Sequence, residues 1–219
     1  MKITMKSILI IGLGRFGSIM ADHLEKQGNS VLGIDIIEKR ADDAVSFLRN
    51  IQIGDATDEK FIESLGVSNF DVCVIAIGGE NFQTVLEITV LLKDYGAKFI
   101  VTRANKDVHE KLLLRNGADY VVCADREAAE KLAVKYGTKH VFDYIELTDE
   151  YGFYEILTPD NWIGKTISQV EVRTKYNINV IATKSGSQVH PTITPDYLFS
   201  RDENIIIMGT EKNVRKLLK

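Results

Sequence analysis

The densest chemical signal in the chain is Gly12-Leu13-Gly14-Arg15-Phe16-Gly17. This GxGxxG run follows the apolar stretch Ser7–Ile11 and opens a stretch of helical spacing, Arg15–Gln27. In that setting each glycine has a task. Gly12 makes the tight turn, Gly14 lets a pyrophosphate approach the backbone, and Gly17 lets the helix pack closely on a sheet. A helix that starts there presents unpaired N–H groups and partial positive charge to phosphates. Asp35 ends the next apolar run about 20 residues beyond the glycines, where a carboxylate accepts from ribose hydroxyls. An acid at that point favours an unphosphorylated ribose, as in NAD(H) or ATP/ADP, over NADP. Arg15, inside the loop, suits an added terminal phosphate such as that of ATP or ADP. The other reading of Arg15 is a solvated first-turn arginine, and NAD stays open.

Further candidates fall at the ends of later apolar runs, the rim that lines the crevice in such sheets. Gly54-Asp55-Ala56-Thr57 follows Ile51–Ile53, and Asp55 and Thr57 are placed to serve the adenosine. Thr57 also fits as the N-cap of a helix over Asp58–Leu65, with Gly66 as its C-terminal stop. Ile77-Gly78-Gly79 closes Val72–Ile77, where glycine admits a nucleotide. Arg103 follows Lys98–Thr102 and suits a phosphate. Asp125 follows Tyr120–Val122; it fits equally as a ligand to a divalent cation bridging phosphates and as the N-cap of a helix over Arg126–Tyr136.

The elements that must position these residues alternate. Through residue 137 short β-like runs alternate with helical segments, which predicts a parallel sheet with right-handed crossovers and helices on both faces. Val72–Ile77 is a continuous apolar run, the pattern of a strand buried on both faces. Beyond residue 137 the pattern changes. Val141–Leu147 and Phe153–Leu157 read as strands, Ile167–Tyr176 as one helix, and Ile178–Lys184 with Gln188–His190 as a hairpin about Ser185-Gly186. Asn204–Met208 is a further strand and Glu211–Leu218 a final helix. The sequence therefore predicts an α/β, doubly wound parallel Rossmann sheet over residues 1–137, followed by a small α+β domain over residues 138–219.

Composition excludes several functions. The chain has 219 residues and a formal net charge of -4. Its basic residues are scattered, which argues against a nucleic-acid partner. No apolar stretch is long enough to span a bilayer, and Met1–Ser7 does not read as a signal peptide. A membrane role must therefore act through a partner. Cys73 and Cys123 lie in apolar runs without CxxC spacing and read as buried small hydrophobes. A dehydrogenase needs a proton-moving group and a second-substrate pocket. His23, His109, His140 and His190 show no pairing with an acid; His23 and His109 are expected on outer helix surfaces. No HExxH or GxSxG motif appears. The nucleotide thus reads as a signal rather than a reactant, and the chain as no enzyme. The alternatives are a free-standing NAD(H) redox sensor and an NAD-dependent oxidoreductase.

The order GLGRFG, Asp35, GDATD at 54–58, AIG at 76–78, Arg103-Ala104-Asn105 and Gly117-Ala118-Asp119 resembles RCK domains, regulators of potassium conductance. The segment from Asp196 through Leu198 and Asp202 to Ile205-Ile206-Ile207-Met208-Gly209 resembles their companion C-terminal domain. With a single such unit, the whole chain is similar to the Trk/Ktr-type regulatory subunits of bacterial potassium transporters, of the Ktr kind. The resemblance implies a cytoplasmic protein that forms dimers and an octameric ring on the inner face of a potassium-transporting membrane subunit. It implies switching by ATP and ADP, with NAD(H) in some members. By the same resemblance Arg15 meets the γ-phosphate, Asp35 holds the ribose, and Asp125 stands where relatives more often carry a cation-holding glutamate for Mg2+ or another ion. It further implies a cyclic di-AMP site in the C-terminal domain. There Arg173 and Asn179 keep the family spacing within Val172–Asn179, and Ile167 and Pro195 form apolar walls.

Overall fold

The computed structural model describes residues 5–78, 81–137, 140–148 and 150–218. Gly79 of the predicted rim lies outside them. The chain divides into two compact units, Met1–Arg126 and Glu127–Lys219.

The first unit alternates as predicted. Its elements are β1 (Ser7–Ile11), α1 (Arg15–Lys26), β2 (Ser30–Asp35), α2 (Glu38–Ala44), β3 (Asn50–Ile53), α3 (Glu59–Ser64), β4 (Val72–Ile75), α4 (Phe82–Asp94), β5 (Ile100–Arg103), α5 (Asp107–Arg115) and β6 (Tyr120–Val122). The strands form one sheet in the order β3-β2-β1-β4-β5-β6, and every pairing is parallel. Strand order reverses between β1 and β4, which opens a crevice at their C-terminal ends. The period of two along the strands divides two cores. Leu9, Ile11, Cys73 and Ile75 pack on one face, while Ile8, Ile10 and Val74 pack on the other. Burial on both faces explains why these strands read as unbroken apolar runs.

Helix α6 (Ala124–Gly137) spans the division between the units. The sequence places this helix in the first domain. In the structure its residues after Arg126 group with the second unit, because Val134 packs against that unit's core and Lys131 pairs with Asp143 at 3.5 Å.

The second unit contains β7 (Val141–Glu146), β8 (Tyr151–Leu157), α7 (Ile167–Val170), α8 (Val172–Tyr176), β9 (Asn179–Ser185), β10 (Gln188–His190), β11 (Asn204–Thr210) and α9 (Glu211–Leu217). Its antiparallel sheet runs β10-β9-β11-β8-β7. The predicted hairpin is β9–β10, with Gly186 at φ +58° in the turn. The core gathers Tyr154, Ile156, Trp162, Phe199, Ile205 and Ile207, and the Trp162 and Phe199 rings lie 5.1 Å apart. The single helix expected over Ile167–Tyr176 is two. Glu171 adopts φ +54°, a left-handed conformation that breaks the i→i+4 ladder, and Asn177 at φ +53° ends the second piece.

Candidate functional site: a nucleotide crevice at the sheet switch point

The glycine loop joins β1 to α1, and each glycine can be tested by the space around it. At Gly12 φ is +99°, and a Cβ would lie 3.0 Å from Ile77 Cγ1; the Gly12 N–H donates to Ile34 O at 2.7 Å. At Gly17 a Cβ would lie 1.9 Å from Gly12 O, so only glycine lets the helix approach the turn. At Gly14 nothing lies within 4 Å of the Cβ position. That open face is where a ligand phosphate can meet the backbone. Gly14 is also the N-cap of α1; it offers no side-chain acceptor, and the first turn carries no acidic residue. The first-turn N–H groups and the helix dipole therefore remain available to an anion.

Asp35 is buried, and its carboxylate binds two pieces of this frame. Oδ2 accepts from Leu13 N at 2.7 Å, and Oδ1 accepts from Ile37 N at 2.9 Å. Hydrogen bonds to a charged group contribute about 1.5–3 kcal/mol each. Asp35 thus fixes the glycine loop against the end of β2, a task beyond the ribose contact expected of it. A carboxylate has about four lone-pair sites, so capacity remains for a ribose hydroxyl. Sequence reasoning missed two neighbours. Arg40 Nη1 lies 3.5 Å from Asp35 Oδ2, and Ile36 is 61% exposed beside the acid. Both stand in the run Asp35-Ile36-Ile37-Glu38-Lys39-Arg40, but helical spacing alone does not say which α2 side chain turns back to the strand end.

Asp55 makes a tight local turn. Its Oδ1 accepts from Thr57 N at 2.9 Å and from Thr57 Oγ1 at 2.7 Å, and these two bonds hold its carboxyl below the usual carboxylate range. Ala56 is buried in the first unit's core. The N-cap of α3 is Asp58, not Thr57: Asp58 Oδ1 accepts from Lys60 N at 3.0 Å, while the Thr57 hydroxyl is already given to Asp55.

Across the switch point, Ile77 walls the turn at Gly12, and Gly78 leaves room for Arg103. A Cβ on Gly78 would lie 2.9 Å from Arg103 Nη1. The Arg103 guanidinium sits 4.4 Å over the Phe16 ring centroid, and its Nε is buried with no hydrogen-bond partner among the described residues. An orphaned buried donor costs about 1–3 kcal/mol, so the ring and the packing around Arg103 must hold it in place. Arg15 is exposed at the first position of α1. The loop, Asp35, Gly78 and Arg103 therefore converge on one rim and can bind a diphosphate-bearing nucleotide.

Two expectations near this rim change. Asp125 is no N-cap; it lies exposed inside the first turn of α6, and no cluster of three or more His, Cys, Asp or Glu among the described residues could hold a metal ion. His109 is half-buried rather than on an open surface, with its ring stacked 3.8 Å from that of Phe82. Arg126, next to Asp125, is clamped by Asp107 Oδ1 at 2.7 Å and Glu110 Oε2 at 2.9 Å, so it fastens the start of α6 to α5.

In the second unit Ser168 N donates to Pro195 O at 3.0 Å and Ile167 N donates to Tyr197 O at 3.2 Å, which brings Ile167 and Pro195 together. Arg173 is exposed on α8, and half-buried Asn179 begins β9. Val172, at the start of the segment that carries Arg173 and Asn179, is a core residue at 2% exposure, because a five-residue helix must bury its apolar side to stay attached. A cavity of about 480 Å³ in this unit is lined by Ser185, His190, Thr192, Tyr197 and Glu203, none of them predicted.

No helix among the described residues is long and apolar enough to cross a membrane. Comparison with known proteins gives a consistent result. Residues 8–124 match the TrkA-N domain and residues 153–219 the TrkA-C domain. The chain is 33% identical over 98% of its length to Ktr system potassium uptake protein C of Bacillus subtilis (strain 168), covering 96% of that protein. It is 31% identical over 98% of its length to Ktr system potassium uptake protein A of the same organism, again covering 96% of it. The fold matches a solved GsuK channel bound to NAD with a TM-score of 0.66 at 16% identity, over 100% of this chain and 40% of that one. With both domain matches in order and full-length likeness to two Ktr proteins, the chain belongs to the TrkA-N/TrkA-C family of potassium uptake proteins, among its Ktr-type members.

Proposed function

We propose that this chain is the cytoplasmic, nucleotide-binding regulatory subunit of a Ktr-type potassium transporter, that it works on a separate membrane subunit, and that it is not an enzyme. The observation that carries the proposal is the open backbone at Gly14, set between the N-terminus of α1, Asp35 and the Arg103 guanidinium over the Phe16 ring. These groups bind and orient an anion; none of them is placed to move a proton on a second substrate. The first unit is the nucleotide domain, and the second is the dimerisation and second-ligand domain of a ring-forming protein.

The regulation is a population shift. ATP and ADP change the protein only if they bind its two states with different affinities. Arg15, exposed beside the phosphate loop, discriminates because only ATP presents a γ-phosphate. Mg2+ or another cation accompanies the phosphates, with Asp125 contributing when subunits assemble. In the second unit Ile167, Arg173, Asn179 and Pro195 hold cyclic di-AMP: the arginine meets phosphate, the asparagine a base edge, and the aliphatic groups the purines. A second reading, an NAD(H) sensor, is supported by Asp35, which suits an unphosphorylated ribose, and by the NAD bound in the GsuK channel that shares the fold.

The test is a calorimetric titration of nucleotide-stripped protein with ATP, ADP, NAD, NADH and cyclic di-AMP in turn. Micromolar binding of ATP and ADP, with cyclic di-AMP binding additively, is the expected result. Tight binding of NADH alone would replace the ATP/ADP switch with the redox sensor.

A further inference from the structure

We propose that Phe16 is a positioning residue for the nucleotide: its ring holds the Arg103 guanidinium over the phosphate crevice in a charged, ready state. The proposal rests on the nucleotide-binding reading above and goes beyond it by assigning a side chain inside the glycine motif to a partner at the end of β5.

Three observations converge. The guanidinium lies 4.4 Å over the Phe16 ring, within cation–π range. Its Nε is buried and has no hydrogen-bond partner among the described residues. Gly78 keeps the space that Nη1 occupies, since a Cβ there would approach to 2.9 Å. Arg103 is thus held by a ring face and by packing. Arg126 in the same unit shows the contrast: two carboxylates hold it at 2.7 and 2.9 Å. A carboxylate neutralises an arginine and occupies its donors, so a phosphate would have to displace it. A ring face attracts the cation without using its N–H groups, so no competing carboxylate has to be displaced by an anionic ligand. The rigid pre-placement lowers the ordering cost that binding would otherwise carry. Phe16 suits this role because it is the second residue of α1, anchored by packing against the sheet core on one side.

The test uses the full chain and ADP as the probe, with affinity read by calorimetry. Phe16→Leu should weaken ADP binding roughly three- to tenfold, the range a cation–π contact supplies. Pentafluorophenylalanine at position 16 preserves shape and reverses the ring quadrupole, and it should weaken ADP binding by a similar factor while lowering the ligand-free melting temperature by no more than a few degrees. In an Arg103→Gln background neither change at residue 16 should cost further affinity. Undiminished ADP affinity in the fluorinated protein, or a full additional loss in the Arg103→Gln background, would overturn the role of Phe16. Wild-type protein that binds no ADP would overturn the ATP/ADP reading of the site and this proposal with it, and that outcome is separated from the others because it appears before any substitution is made.

Discussion

Asp35 shows how one side chain can serve the fold and the ligand together. Its two backbone hydrogen bonds fasten the glycine loop and the start of α2, so a ligand would meet a carboxylate already fixed in place. Arg15 has the opposite character, being exposed and solvated. Arg15→Ala should therefore leave stability within about 0.5 kcal/mol and narrow the gap between ATP and ADP affinities; an unchanged ratio by calorimetry removes Arg15 as discriminator. Asp55 gives a titration test. Its folded pKa is lowered by the Thr57 N–H and hydroxyl, so the stabilisation is present above the ordinary carboxylate value and is lost as pH falls through the lowered one. Thr57→Val removes the hydroxyl, and the Asp55 midpoint followed by NMR should move up. Cys73 is fully buried, and burial pushes its thiol up to about 12; Cys123 is 3% exposed. Neither should react with a thiol reagent in native protein at neutral pH, and both should react once it is unfolded. The place of Asp35 at the end of β2 was legible from spacing alone. The Phe16–Arg103 contact was not, because it joins residues far apart in sequence through a ring face, a geometry that no local pattern encodes.

At the scale of elements, Gly14 and Gly17 separate binding from folding. Gly14→Ala places a methyl in open space, so the melting temperature should hold while nucleotide affinity falls at least tenfold, about 1.4 kcal/mol. Gly17→Ala drives a methyl into Gly12 O and should cost about 1–3 kcal/mol of stability as well. Thermal unfolding measured beside calorimetry distinguishes the two. The sheet was legible because strands buried on both faces must be apolar throughout. The break within Ile167–Tyr176 was not. Its apolar spacing suits one helix, and the left-handed turn at Glu171 falls on a residue type that rarely adopts it. The cap of α3 moved from Thr57 to Asp58 for a similar reason: two adjacent residues both suit the position, and a side-chain bond to Asp55 decides between them.

The whole molecule joins a nucleotide fold to a second unit with its own core and sheet. Under the proposed function, the first unit would read ATP or ADP and the second a further ligand, each biasing a shared equilibrium. The sequence assigns all of α6 to the first domain, because a helix carries no mark of which core its far end joins. The most direct measurement is potassium flux through the partner membrane subunit, reconstituted in liposomes with this protein, in ATP and then in ADP. The account predicts higher flux in ATP than in ADP for the wild type and no difference for Gly14→Ala. Equal flux in both nucleotides for a wild-type complex that binds each of them would contradict it.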